Sequence, residues 1–104
     1  MRERPPRSRG WASGGPGYQR NMSRIYDETA IPAGSGYQFT IGPQILNVMR
    51  TPSGEWNFDA GGTDVVNVRA AEGGGFFVTA GAAPAYRSAF PAAAQLALRR
   101  LGLQ

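Results

Sequence analysis

Residues 55–80 read EWNFDAGGTDVVNVRAAEGGGFFVTA, and the fold turns on how this stretch is parsed. EWNFD (55–59) alternates, with Trp56 and Phe58 on one face and Glu55, Asn57 and Asp59 on the other. Gly61-Gly62 interrupts the pattern, and TDVVNVR (63–69) resumes it with branched residues that suit a pleated surface. EGGG (72–75) supplies a second turn, followed by FFVTA (76–80). Three short alternating runs separated by glycine clusters predict consecutive antiparallel strands. Both glycine clusters lead into apparent strands. A phosphate loop needs a helix N-terminus after its glycines, so these clusters read as hairpin turns.

Working towards the N-terminus, TPSG (51–54) has proline at the second turn position and glycine at the fourth, as a type I turn prefers. QILNVMR (44–50) before it is a strand expected to form a hairpin with EWNFD. Gly42-Pro43 separates it from YQFTI (37–41), where Tyr37, Phe39 and Ile41 share a face. Residues 25–36, IYDETAIPAGSG, read as a linker with Pro32, Gly34 and Gly36 as turn formers. Towards the C-terminus, residues 81–88, GAAPAYRS, read as a loop leading to a helix over about residues 89–101. Ser88 is the expected cap, Pro91 is tolerated in the first turn, and Gly102 ends the helix. Arg99 and Arg100 in the last turn suit the helix dipole. Phe90, Ala93, Ala94, Ala97, Leu98 and Leu101 form one stripe, with Gln95 and Arg99 facing water. A helix this short cannot span a bilayer, so no membrane partner is expected.

The fold class that results is α+β. An antiparallel sheet of about four to five strands, with one C-terminal amphipathic helix packed on it, occupies residues 37–104. It follows the linker and an Arg/Gly/Pro-rich arm, residues 1–24. The order of strands then helix resembles several small sheet-plus-helix modules, some of which bind DNA through the sheet; no motif singles out a family.

Charge divides the chain the same way. Its 104 residues carry a formal net charge of +4. Arg2, Arg4, Arg7, Arg9, Arg20 and Arg24 against Glu3 give the first 24 residues +5, which leaves −1 for the remainder. Basicity is thus a property of the arm. The arm has too few apolar residues to offset the entropy of ordering and is expected to be disordered when free. No apolar stretch follows its charges, so a secretory signal is excluded and the expected compartment is the cytoplasm. Three prolines (Pro5, Pro6, Pro16) oppose the amphipathic helix of a transit segment. The composition shifts near Met22, which keeps an alternative start there open.

All eleven basic residues are arginine; lysine, histidine and cysteine are absent. These absences exclude disulfides, thiolate nucleophiles, Cys/His zinc sites, histidine bases, lysine Schiff bases and a P-loop lysine. Arginine suits phosphate recognition. Fifteen alanines, fifteen glycines and eight prolines instead point to GC-rich codon usage as the reason lysine is missing. An enzyme is not expected, nor a cofactor.

Binding is what remains. RSRGWASGGPGYQR (7–20) interleaves arginines with Trp11 and Tyr18, which can stack on bases while the arginines neutralise phosphates. Its RG and GGPGY pieces resemble disordered RNA-binding tails. Glu55, Asp59 and Asp64 would need to converge to hold a hard cation, and a solvated polar strand face explains them more simply. Tyr37, Phe39, Trp56 and Phe58 can form a core or, on an uncovered face, a stacking platform; core packing is the expected role of Trp56 and Phe58. Tyr86 and Arg87, placed on the loop before the helix, are candidate partner contacts. Two functions follow. One is a nucleic-acid-binding protein using the arginine arm, with the sheet or Tyr86/Arg87 assisting. The other is a protein-binding module, an adaptor, inhibitor or minor subunit, with the arm as a leader.

Overall fold

The computed structural model describes residues 23–81 and 83–104. The chain is α+β: a single antiparallel sheet followed by one helix. Six strands run as a meander: β1 (Gly36–Ile41), β2 (Gln44–Arg50), β3 (Trp56–Asp59), β4 (Val65–Ala70), β5 (Phe76–Thr79) and β6 (Ala85–Arg87). Each strand pairs only with its sequence neighbours.

The count of six corrects the expected four to five. Residues 85–87 join the sheet, with Phe76 opposite Arg87, Phe77 opposite Tyr86 and Val78 opposite Ala85. Three residues behind Gly81 and Pro84 are too few to show a period-2 pattern. Hydrogen bonding to β5 makes them a strand.

Alternation places the apolar residues as the sequence implied. Phe39, Leu46, Val48, Trp56, Phe58, Val66, Val68, Phe76 and Val78 are buried on one face. Phe58 and Val68 are fully enclosed at the middle of the sheet. The helix α1 (Phe90–Arg100) lies on that face against β4, β5 and β6. Ala93, Ala94 and Ala97 have no exposed surface, so the helix backbone comes close to the sheet. Leu96, outside the anticipated stripe, is buried as well. Trp56, Phe76 and Phe90 pack edge-on or tilted, with ring centroids 4.6 to 6.0 Å apart.

Residues 25–36 do more than connect. Ile25 and Ile31 are buried in the same core. Arg50 ties this segment down: Nη1 donates to the Ile31 carbonyl at 3.1 Å and Nε to the Gly54 carbonyl at 3.1 Å. Its guanidinium lies 4.4 Å from the Trp56 ring centroid, a cation–π contact. The C-terminus returns to the same segment, with Gln104 Nε2 donating to the Tyr26 hydroxyl at 2.7 Å.

The helix starts one residue later than a Ser88 cap requires. Ala89 is the N-cap, extended at φ −128° and ψ 147°, and no side chain caps the helix. Phe90 is buried as the first helical residue and Pro91 follows; core packing of Phe90 and the preset φ of proline place the start, while Ser88 falls one residue short of the capping position. The C-terminal end matches expectation. Gly102, at φ 77°, donates to the Arg99 carbonyl, and Leu103 donates to the Leu98 carbonyl, which together form a Schellman motif.

Candidate functional site

Among the described residues one helix covers one face of the sheet and no segment lies over the other, the open face. It carries Gln38 and Thr40 from β1, Ile45, Asn47 and Met49 from β2, Asn57 and Asp59 from β3, Val65, Asn67 and Arg69 from β4, Phe77 and Thr79 from β5, and Tyr86 from β6. Four apolar side chains on it are about half exposed: Ile45 (45 %), Met49 (51 %), Val65 (49 %) and Tyr86 (49 %). They are separated by polar residues.

Two hydrogen-bonded groups organise the polar residues. In the first, Gln38 Nε2 donates to Asn47 Oδ1 at 3.1 Å, and Asn47 Nδ2 donates to Asp59 Oδ1 at 3.0 Å. That carboxylate oxygen also accepts the Gly61 amide at 2.9 Å. In the second, Asn67 Nδ2 donates to Asn57 Oδ1 at 2.9 Å and to Glu55 Oε1 at 3.0 Å. Cross-strand register makes these contacts: Gln38 faces Asn47, Asn47 faces Asp59, and Asn57 faces Asn67. Glu55 and Asp59 are therefore engaged by amides. No group of three His, Cys, Asp or Glu side chains able to hold a metal ion occurs among the described residues.

Beside the amides lies a row of different character. The Arg69 guanidinium sits 5.2 Å from the Phe77 ring centroid, and its Nη1 donates to Thr79 Oγ1 at 3.4 Å. Phe77 meets Tyr86 edge-on at 5.8 Å. The Tyr86 hydroxyl donates to the Gly74 carbonyl in the β4–β5 turn at 3.2 Å. That turn brings the backbone under the ring. Gly75 has φ 80°, and a Cβ there would overlap the Tyr86 ring. Glycine is favoured at this position by conformation, and any side chain there would displace the Tyr86 ring.

The anticipated residues separate into three groups. Arg2, Arg4, Arg7, Arg9, Trp11, Tyr18 and Arg20 lie outside the described residues. Tyr86 and Arg87 stand on β6 at the sheet edge and not on a loop. Tyr86 points to the open face, whereas Arg87 alternates away from it and its Nη1 donates to the Tyr86 carbonyl at 2.7 Å. Arg24 is exposed beside Asp27. The Thr29 hydroxyl and then its backbone amide hold the Asp27 carboxyl below its ordinary value, and Arg24 adds to the effect. Arg69, Phe77 and Met49 did not stand out in the sequence. The signal for Phe77 was there: in FFVT, if Phe76 and Val78 point inwards, Phe77 must point out. Trp56, Phe58 and Phe39 belong to the core, and Tyr37 is partly exposed at its margin.

The described residues carry six arginines and six carboxylates, a net charge of zero. Among the described residues Arg69 is the single cation on the open face, with Asp59 on the same face and Glu55 beside it. No helix among the described residues is long and apolar enough to cross a membrane. Comparison with protein-family models, curated proteins and solved structures returns no match.

Proposed function

We propose that this chain is a non-enzymatic module that binds a protein partner through the open face of its sheet, with Arg69, Phe77 and Tyr86 at the centre of the contact. The observation that carries this reading is the composition of that face. Tyr, Phe, Met and Arg are enriched in the cores of protein interfaces. Arg69, Phe77 and Tyr86 form one row on this face, held by the cross-strand contacts described above, and Met49 stands exposed on β2 of the same face. Rigid aromatic side chains lose little entropy on binding, and Tyr86 is held at both ring and hydroxyl. The amide groups around them serve as a polar rim. Phosphate would find a poor host here, because one arginine is outweighed by Asp59 and Glu55.

A second reading rests on a separate observation, the six arginines in residues 1–24. It assigns nucleic-acid binding to the arm, with the folded body as passenger. One experiment separates the two. The full chain, a form lacking residues 1–21, and a Phe77→Ala/Tyr86→Ala variant are used to capture partners, each with and without nuclease. Protein binding through the face is nuclease-resistant, survives removal of the arm and falls at least about tenfold in the double variant, as loss of interface anchors predicts. Capture that disappears with nuclease or with the arm, and ignores Phe77 and Tyr86, establishes the second reading and removes the first.

A further inference from the structure

The two edges of the sheet are unlike. β6 is protected: it has three residues, follows Pro84 and contains Arg87, all features that discourage strand pairing. β1 has six residues, GYQFTI, with no charge and no proline, and the only bulge along it among the described residues lies just before it, where Gly34 and Ser35 both face Arg50.

The hydrogen-bond phase of β1 identifies which groups it leaves unpaired. Arg50 N–H donates to the Ser35 carbonyl at 2.8 Å and the Arg50 carbonyl accepts the Gly34 N–H at 2.7 Å, so the bulge places Arg50 in the hydrogen-bonded phase of the ladder. Pairs alternate in an antiparallel ladder, so Tyr37/Val48, Phe39/Leu46 and Ile41/Gln44 are bonded as well. Gly36, Gln38 and Thr40 therefore turn their N–H and C=O groups outward. No backbone group elsewhere among the described residues bonds to them.

We infer that β1 pairs with β1 of a second copy of this chain, antiparallel and about a two-fold axis through Gln38, so that one sheet runs through both copies. The register is dictated by which groups are free. With Gln38 opposite its own counterpart, Gly36 falls opposite Thr40 on both sides of the axis, and about six main-chain hydrogen bonds satisfy every outward N–H and C=O. The side chains agree with that register. On the core side Tyr37 comes opposite Phe39 of the other copy, which places the exposed Tyr37 ring at the seam between the two strands. On the open side Gly36, which the Met49 side chain covers, falls opposite the branched Thr40. Each Gln38 spends one N–H on Asn47 and keeps a second N–H and its Oε1, so the two amides can bond reciprocally. The Asp59–Asn47–Gln38 chain then continues across the axis. A strand without charge meets its own copy with no like-charge repulsion, which is why a second copy fits better than a charged segment. This inference concerns the edge and does not depend on what the open face binds.

The test is the mass of the full chain in solution, by light scattering or sedimentation, over a range of concentrations. The wild type is expected to show the mass of two chains. Gln38 is exposed, so Gln38→Lys and Gln38→Glu leave the core intact, yet each sets like charges against each other across the axis. Each variant alone is expected to dissociate at least about 100-fold more readily. An equimolar mixture restores the two-chain mass, because Lys then faces Glu. Gln38→Pro removes an outward N–H and the side-chain bond to Asn47 but leaves the main-chain bonds to β2 in place, and should also give the one-chain mass. A wild type that stays at the one-chain mass overturns the inference, including the case where the edge takes a strand from a different protein. So does a dimer that persists in both charged variants, or a mixture that fails to reassociate.

Discussion

Replacing Gly75 by alanine tests whether the β4–β5 turn and Tyr86 are a coupled unit. Two costs are legible in the structure. The backbone at Gly75 has φ 80°, and an L-residue there costs about 1–2 kcal/mol. The new Cβ would also overlap the Tyr86 ring, which must move away. Moving it gives up the hydroxyl bond to the Gly74 carbonyl, about 0.5–1 kcal/mol at an exposed site, and the edge contact with Phe77, about 0.5–1 kcal/mol more. Gly75→Ala should therefore destabilise the fold by about 2–4 kcal/mol, lowering Tm by about 8–32 °C for a domain of this size. Tyr86→Ala already loses the two contacts and removes the obstacle. Adding Gly75→Ala to it should cost only the backbone part, about 1–2 kcal/mol. A double-mutant cycle by urea unfolding thus predicts a coupling of about 1–2 kcal/mol between the two sites. If the two effects add to within about 0.5 kcal/mol, the ring does not occupy the space beside Gly75 and the reasoning is wrong.

Three other outcomes are expected. Phe58→Ala, at the fully enclosed centre of the sheet, should cost about 3–5 kcal/mol, against a total of about 4–12 kcal/mol for a fold of this length; urea unfolding should show a large loss at unchanged m-value. Gly102→Ala places a side chain at φ 77° in the Schellman turn and should cost about 1–2 kcal/mol, read as a lower Tm with the same far-UV spectrum. Thr29→Val removes the hydroxyl bond that does most to lower the Asp27 pKa, so carbon-detected NMR titration should show that pKa rising towards its ordinary value. Because the folded value is depressed, the stability from this bond is present above the ordinary carboxylate pKa and is lost as pH falls through the lower folded value; the wild type and variant should converge in acid.

Much of the architecture was legible because the apolar pattern is local. Trp56/Phe58, Val66/Val68 and Phe76/Val78 alternate within their own strands, and the glycines between them force turns. Each strand therefore declares an inward face before its partner is known, and a meander needs only neighbours to pair. The helical stripe from Phe90 to Leu98 is legible for the same reason. The charge division into a basic arm and a near-neutral remainder is also a property of sequence alone, as is the chemistry excluded by the absence of lysine, histidine and cysteine.

Tertiary structure decided what depends on contacts between distant residues. Residues 85–87 are a strand only because β5 offers them hydrogen bonds, and this moves Tyr86 from a loop to the sheet. The helix begins at Phe90 because the core takes that ring, whatever Ser88 offers as a cap. Arg50 reads as a strand-end charge until Ile31, Gly54 and Trp56 surround it. Arg69, Phe77 and Tyr86 lie far enough apart in the chain that only the β4–β5–β6 register makes them one row. Period-2 alternation assigns a side chain to a face; pairing decides which side chains share it, and the helix decides which face stays open.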